Sequence, residues 1–540
     1  MEAKIFNKVR ELAKAFLPFY LFTLLPLTGC SLDENPRDQI PEEEAYTTAQ
    51  ALYQNTVATL YAYIGGQADG QGLQGTCRGI YALQTFGSDE AMLPTRGGDW
   101  YDGGLWQHMY RHSWSAGHDL PKNAWIYLYK VIALCNRSLE QIQAHRHLLQ
   151  DQQYSMYQAE VRALRAIYYW YLLDLFGPVP LVTSSDVSMQ EVRQSSRAEV
   201  WRFAVSELED TRWSLWAQYS QKPGDCYGRV TFPVATFALA KLMLNAEVYS
   251  GTPQWLKTIE YCDDLEWIGY QLESDYQDNF IIHNENSQEN IWTIPMDRDL
   301  YTNQQQNLYR SYHYRHAAAY GFTGENGSCA TKRVLQIFGC DTPDEDPRFQ
   351  FNYWAGQVYD LYEDLVTDRM GNPLVYYPWE VDIDLSGSPY VETAGARMKK
   401  YEVDKNATKD GKLMDNDIVL FRYADALLMR AEAKFRLGGA SYGSADGGTT
   451  AQQDFDAVRN RAGAPPRQLT LQTLLDERLL ELCWEGWRRQ DLIRFNQYES
   501  LFQGDAFDAK VDESDGHTRL YPIPADVIAL NHNLVQNPGY

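Results

Sequence analysis

No two cysteines of this chain stand in Cys-x-x-Cys spacing, which removes the simplest zinc and dithiol redox sites. The sequence has no Gly-rich phosphate loop, no nucleophile elbow and no Walker motif, so nothing in it signals nucleotide chemistry or a serine hydrolase. Cations are scarce. Only 48 Lys and Arg stand against 72 Asp and Glu, a net charge of −24, and that balance argues against nucleic acid and anionic lipid surfaces as partners. After residue 30 no uncharged apolar run reaches membrane-spanning length.

What is present begins with a basic start and an apolar segment. Lys4, Lys8, Arg10 and Lys14 precede Phe16 to Leu27, which is short and interrupted by Pro18 and Pro26; Leu27-Thr28-Gly29-Cys30 follows. This resembles a bacterial lipoprotein signal, with cleavage expected before Cys30 and acylation of its thiol and new amine. At about 0.8 kcal/mol per buried CH2, several acyl chains make release from a bilayer negligible. Residues 1–29 then form the signal peptide. Residues 30–44, polar, acidic and holding Pro36 and Pro41, form a tether. The leader holds four basic and two acidic residues, so the processed chain carries −26. Seven further cysteines remain, an odd number that cannot pair completely, and spacing leaves a Cys329–Cys340 disulfide open.

Helical periodicity dominates much of the rest. Helices are expected over 45–63 and 123–143, then through Val161, Leu164, Tyr168, Tyr171, Leu172 and Leu175 to a stop at Gly177-Pro178. Ser196-Arg-Ala-Glu199 is a capping box opening a helix to about 219, and 233–249 reads as its partner. Ala424, Leu427, Leu428, Ala431 and Phe435 share one face before Gly438-Gly439, with 452–462 as a shorter mate; one further helix is expected from Thr473 to about Phe495. Paired helices with small contact residues resemble tetratricopeptide hairpins, with a generic helical bundle as the alternative. Residues 280–415 break the pattern. They are rich in Tyr, Asn, Gly, Asp and Pro, with short β-prone pieces such as Glu289 to Ile294, and long ordered insertions are usually functional. The expected fold is mainly α: helical hairpins over 45–279 and 416–540, and a loop-rich insertion with short β hairpins over 280–415.

Two C-terminal stretches carry a family likeness. Glu477 to Leu492 spells ER-x-x-EL-x-x-EG-x-R-x-x-DL. Leu520-Tyr521-Pro522-Ile523-Pro524 is followed by Gln536-Asn537-Pro538-Gly539-Tyr540. With the lipobox, Ser88-Asp89-Glu90, Asn123-x-Trp125 leading to Asn136, and Glu289-Asn290-Ile291-Trp292, they resemble the SusD/RagB family of surface nutrient-binding lipoproteins. The resemblance implies four tetratricopeptide-like hairpins plus a loop-rich ligand-binding part. It also implies an outer-membrane location facing the exterior, anchorage through lipid only, and a SusC-like TonB-dependent transporter as partner, which the lipoprotein caps as a hinged lid. Neither cofactor, metal nor catalysis is expected, and no nucleic acid. Arg489 departs from the family, many members of which have Trp there, and a surface adjustment is expected. Within the motif, Arg478 with Glu481, Glu485 with Arg488 and Arg489, and Arg488 with Asp491 are three or four apart. They read as helix-surface pairs worth about 0.2–0.5 kcal/mol each rather than as a glycosidase carboxylate pair.

Aromatic residues make up 14% of the chain, and those outside the periodic helices are the candidate ligand contacts. Arg96, Asp99, Trp100, Tyr101 and Trp106 sit in a Gly- and Asp-rich loop. Tyr301, Tyr309, Tyr312, Tyr314, Arg315 and Tyr320 sit in the insertion, followed by Tyr353, Trp354, Tyr376, Tyr377 and Trp379. A pyranose has an apolar C–H face and a rim of hydroxyls, so it fits flat rings edged by amides, carboxylates or Arg. Covering roughly 50–100 Å2 per ring at about 25 cal/mol per Å2 gives about 1–2.5 kcal/mol, and two or three rings reach millimolar to tens-of-micromolar dissociation constants. The expected ligand is an oligosaccharide. A lipid-anchored helical glycoside hydrolase, a peptide-binding relative and an adhesion scaffold are the alternatives. His108, His112 and His118, and likewise His313 and His316, read as hydrogen-bonding residues rather than zinc ligands, and Asp341, Asp344 and Asp346 lack a full calcium loop pattern.

Overall fold

The computed structural model describes residues 45–66, 68–74, 77–188, 190–220, 224–300, 308–406, 411–443, 448–499 and 516–540; the lipobox at Cys30 and Tyr301 lie outside them. The long helices form where a cap meets an apolar stripe. Asp119–Ala144 has Asp119 at its positive end and buries Leu120, Ala124, Leu128, Val131, Cys135 and Ile142. Asp151–Phe176 opens on a Gln150–Gln153 capping box and closes at Gly177, φ 71°, before Pro178. Nearly every side chain from Tyr157 onward is buried, because this helix has Asp119–Ala144 on one flank and Arg197–Thr211 on the other. The expected Ser196–Glu199 box starts Arg197–Thr211, which is shorter than anticipated and runs into a 3-10 turn at Arg212–Ser214.

Pairing differs from expectation in the next hairpin. Phe232–Leu244 packs chiefly on Trp255–Ile268, a helix absent from the periodicity reading, and only secondarily on Arg197–Thr211. Asn245 interrupts the expected 233–249 helix, leaving Ala246–Ser250 as a separate turn. Tyr423–Gly438 lies against Trp255–Ile268 and against its mate Ala451–Arg461. The first helical stretch, Ala49–Tyr53, passes through a π turn at Gln54–Ala58 into Thr59–Tyr61 and packs on Asp119–Ala144. Among the described residues these contacts stack the long helices as tetratricopeptide-like hairpins, with partners that differ in part from those expected. Among the described residues no helix is long and apolar enough to cross a membrane.

The insertion is stitched to this platform at its ends. Asn290–Ile294 forms no local hairpin; it pairs antiparallel with Ile418–Arg422, on the far side of the insertion. Two-residue pairings tie Ala91–Met92 to Cys329–Ala330 and Tyr353–Trp354 to Arg397–Met398, so the insertion also reaches the Trp100 loop region.

The charges of the C-terminal motif do not lie on one helix. Leu471–Leu482 stops at Cys483, Trp484 and Gly486 take φ of 65° and 76°, and Arg488–Arg494 starts a second helix. The expected neighbour pairs are replaced by distant, buried ones. Arg478 pairs with Asp425 at 2.9 Å and Asp491 at 2.8 Å, and Arg488 with Asp89 at 2.7 Å. Arg422 reaches Glu289 at 2.7 Å, Glu481 at 2.6 Å and Glu485 at 2.8 Å. Arg348 reaches Asp346, Glu477 and Glu481 at 2.7–2.9 Å, Lys400 reaches Glu485 at 2.6 Å, Arg461 holds Glu289 and Glu481, and Arg459 holds Glu477. Five cations thus balance five carboxylates, which is the condition under which buried charge is tolerable. Burial works against ionised Glu481, yet Arg461, Arg422 and Arg348 hold it well below the usual carboxylate range. Arg489 is no surface residue either: it is fully buried, bonded to Asp174 at 3.3 Å and stacked 4.9 Å from the Tyr521 ring. The QNPGY end is structural too, with the Asn537 amide donating to the carbonyls of Phe176 (2.9 Å) and Tyr521 (2.8 Å).

Glu90 sits beside this hub and behaves oppositely. It accepts the Trp484 backbone N–H through one oxygen, and the other has no hydrogen-bond partner among the described residues. Burial pushes its pKa from 4.5 up to about 8, against the pull of the Trp484 N–H and Lys400. The folded state therefore keeps a proton that the unfolded chain releases near pH 4.5. The Glu90 contribution to stability is full below that value and is lost as pH rises to about 8. Glu90→Gln is expected to flatten this part of the stability profile, read as melting temperature against pH for both proteins.

Candidate functional site

The loop after Pro94 is shaped by glycine and aspartate. Arg96 and Asp99 exchange backbone bonds of 2.9 and 3.1 Å around Gly97-Gly98, closing a tight turn. Trp100, Asp102, Gly103 and Gly104 then take positive φ in quick succession, a path that turns the chain sharply and lifts Tyr101 out, 54% exposed. Trp100 is half-buried. Its Nε1–H donates to the Glu325 carbonyl at 2.9 Å, which fixes the ring, and its underside lies against Gly327, where an added Cβ would come within 2.9 Å of the indole.

An open pocket of about 480 Å3 lies here, lined by Asp69, Arg78, Asp99, Trp100, Asp102, Arg310, Tyr314, Gly324, Glu325 and Lys412. Its charges alternate and engage one another. Arg78 bonds Asp102 at 2.6 Å and lies 3.5 Å from Asp69; Arg310 is 3.4 Å from Asp69 and 4.0 Å from Glu325; the Tyr314 hydroxyl donates to Asp99. Arg78 also stacks 5.4 Å from the Trp106 ring, and Lys412 5.0 Å from that of Tyr309. Burial and the neighbouring Asp99 both raise the Tyr314 phenol, so it stays a donor. Cys77, against Arg310, is pushed up to about 12 by burial and is no ready nucleophile. The pocket offers one aromatic face and a rim of fixed donors and acceptors of both signs.

Ten of the residues singled out in the sequence divide into four groups. Trp100, Asp99 and Tyr314 meet in this pocket although they come from loops more than 200 positions apart. Tyr101 and Arg315 are exposed but lie outside its lining. Trp106, Tyr309 and Arg96 are corrections. Trp106 is 1% exposed, its Nε1–H given to Asp102 at 2.9 Å; Tyr309 is fully buried under the pocket; and Arg96 is a buried clamp donating to the carbonyls of Gly327, Val391 and Ala394. They are scaffold rather than contact residues. Tyr312, also fully buried, and half-buried Trp354 belong to a second cavity. Periodicity gave no signal for Asp69, Arg78, Arg310, Glu325 or Lys412; only Asp102, inside the Gly- and Asp-rich loop, was within reach of the composition argument.

The remaining candidates are internally bonded. His112 bonds the Gly87 carbonyl at 3.1 Å, His118 that of Leu105 at 3.3 Å, and His108 the Ser113 hydroxyl at 2.9 Å. Asp346 is tied to Arg348, and Asp341 accepts the Trp379 indole N–H at 2.8 Å. Cys329 and Cys340 are both free and buried, so the open disulfide does not form. Among the described residues no group of three or more His, Cys, Asp or Glu is placed to hold a metal.

Comparison with known proteins places this architecture. The SusD family model matches residues 280–540, and a model described as "Starch-binding associating with outer membrane" matches 78–221. The starch-binding protein SusD of Bacteroides thetaiotaomicron is 28% identical over 79% of this chain and 80% of its own length. Among solved structures, surface glycan-binding protein A from Bacteroides thetaiotaomicron superposes with a TM-score of 0.71 at 20% identity, and a laminarin-binding SusD-like protein with 0.70 at 22%; each covers 92% of this chain and 100% of the relative. The two matched segments contain the Ser88–Glu90 and Asn123–Trp125 signatures, the insertion, the buried charge hub and the QNPGY end, and on these grounds the chain belongs to the SusD/RagB family.

Proposed function

We propose that this chain is a lipid-anchored protein of the outer cell surface that captures a neutral oligosaccharide in the Trp100 pocket and passes it, uncut, to a SusC-like TonB-dependent transporter. The observation that carries the reading is the pocket itself. One fixed indole face is ringed by Arg78, Arg310, Asp69, Asp99, Asp102 and Tyr314, groups that bond each other across the gap and can extend those bonds to sugar hydroxyls. Relatives named for starch and laminarin binding support a glycan as ligand. Glycoside hydrolysis needs one carboxyl to give a proton and a second to attack or activate water. Here Asp102 is tied to Arg78 and Trp106, and Asp99 to Tyr314, an arrangement suited to holding a ligand. The lipobox at Cys30 supplies the anchor and residues 30–44 the tether.

Calorimetric titration with malto- and laminari-oligosaccharides tests this. The expected dissociation constants are roughly micromolar to millimolar, with the sugar recovered intact after long incubation and a TonB-dependent barrel co-purifying from detergent-solubilised outer membranes. Chain shortening of the ligand would replace the reading with a glycosidase, and absence of the barrel would remove the transport role.

A further inference from the structure

A second cavity, of about 340 Å3, opens on the other side of the 308–325 segment, between 277–281, 351–361 and 399–405. That volume is in the range of small-ligand pockets, roughly 300–1,000 Å3. Its walls include Phe280, Phe351, Tyr320 and Leu361, and its charged lining is mostly cationic, with Lys399, Lys400 and Lys405 against Glu402. Lys400 is neutralised by Glu485 at 2.6 Å, and the Glu402 carboxylate accepts the Ile282 backbone N–H at 2.9 Å.

Lys399 and Lys405 are different. Among the described residues neither has a carboxylate within 4 Å, in a chain where acidic residues outnumber basic ones by half. Lys399 is half-buried. It donates one bond, to the Gln350 carbonyl at 2.8 Å, and lies 4.3 Å from the Trp354 ring centre. Trp354 is itself fixed by its Nε1–H donating to the Tyr312 hydroxyl at 2.7 Å. Burial lowers the Lys399 pKa, and no anion offsets it. An ammonium has three donors, so Lys399 keeps two for a ligand, and a partly desolvated cation gains most from an anion that enters beside it.

We propose that this cavity is a separate ligand site for a sugar ring bearing a carboxylate, with the anion on Lys399 and Lys405 and the ring's C–H face on Phe351, Tyr320 and Leu361. The Trp100 pocket sets Asp69, Asp99, Asp102 and Glu325 against Arg78, Arg310 and Lys412, one negative charge in excess, and so favours an uncharged sugar over an anionic one. The two sites therefore divide neutral and acidic residues of a mixed glycan.

The test is calorimetric titration of the processed, unacylated chain with tetragalacturonate, a glucuronate-containing tetrasaccharide and neutral maltotetraose. At least one uronate is expected to bind wild type, to weaken with added salt, to weaken about ten- to hundredfold in Lys399→Met/Lys405→Met, and to be unchanged in Trp100→Ala. Maltotetraose is expected to be indifferent to the lysine pair. In wild-type protein, bound uronate should also protect Lys399 and Lys405 from acetylation, which reads the site even where the double variant folds poorly. No uronate binding to wild type, equal binding by the lysine variant, absence of protection, or loss through Trp100→Ala would each overturn the proposal. Failure of maltotetraose alone would count only against the neutral pocket.

Discussion

Arg422→Ala is expected to destabilise the folded chain by about 3–5 kcal/mol, the largest single effect anticipated outside the apolar core. Arg422 is fully buried and faces Glu289, Glu481 and Glu485 at once, with Nη2 also donating to the Glu481 carbonyl at 2.8 Å. Its removal leaves five carboxylates facing four cations in a region without water access, so the penalty comes mainly from the uncompensated negative charge and less from the hydrogen bonds that disappear. Arg422→Lys is expected to fall only partly short of Ala, because one ammonium lacks the fork that spans three carboxylates. Urea unfolding gives the magnitude. The hub joins Glu289, Arg348 and Lys400 of the insertion to Arg459, Arg461, Glu477, Glu481 and Glu485 of the C-terminal helices. Hydrogen exchange should therefore rise first at the Asn290–Ile294 and Ile418–Arg422 pairing, before the Asp119–Phe176 helices open. Uniform loss of protection, or destabilisation under about 1 kcal/mol, would mean that the hub is not what holds the insertion to its platform.

The same residues show where the sequence was readable. Where a strong local signal exists it was legible, as with the Gly177-Pro178 stop of Asp151–Phe176 and the Ser196–Glu199 cap of Arg197–Thr211. Trp255–Ile268 was not. Its buried stripe, Thr258, Ile259, Tyr261, Cys262 and Leu265, includes polar and sulfur-bearing members, while Leu256 and Trp267 point to solvent, so apolar residues fall on both faces. The motif was legible as structure but not as burial. Charges three and four apart look like a solvated helix face; only the turn at Trp484 and Gly486, and partners up to some 400 positions away such as Asp89 for Arg488, convert them into an interior hub. The site was half legible for a related reason. Composition located the right loops, but which ring is presented depends on long-range packing. Trp100 and Trp106, six positions apart, meet edge to face at 6.2 Å, and one is sealed in the core while the other borders the pocket.

That contrast defines the second large effect. Trp100→Ala is expected to weaken oligosaccharide binding roughly 5- to 70-fold, the equivalent of about 1–2.5 kcal/mol for uncovering 50–100 Å2 of sugar face, while leaving the melting temperature nearly unchanged. Trp and Ala both carry a Cβ, so the backbone cost of φ 60° at position 100 is common to wild type and variant. Trp100→Phe keeps a platform but loses the bond to the Glu325 carbonyl, and is expected to fall between the two. Trp106→Ala gives the opposite pattern. It removes a buried indole packed on Phe86 at 5.6 Å and stacked under Arg78, so stability drops by about 3–5 kcal/mol, and any loss of affinity follows from the Arg78–Asp102 pair shifting. Calorimetry and thermal melts on the three variants separate contact from support. If Trp100→Ala melts early yet binds as wild type, the indole is a plug that holds 324–327 in place, and the sugar face must be sought at exposed Tyr101 instead.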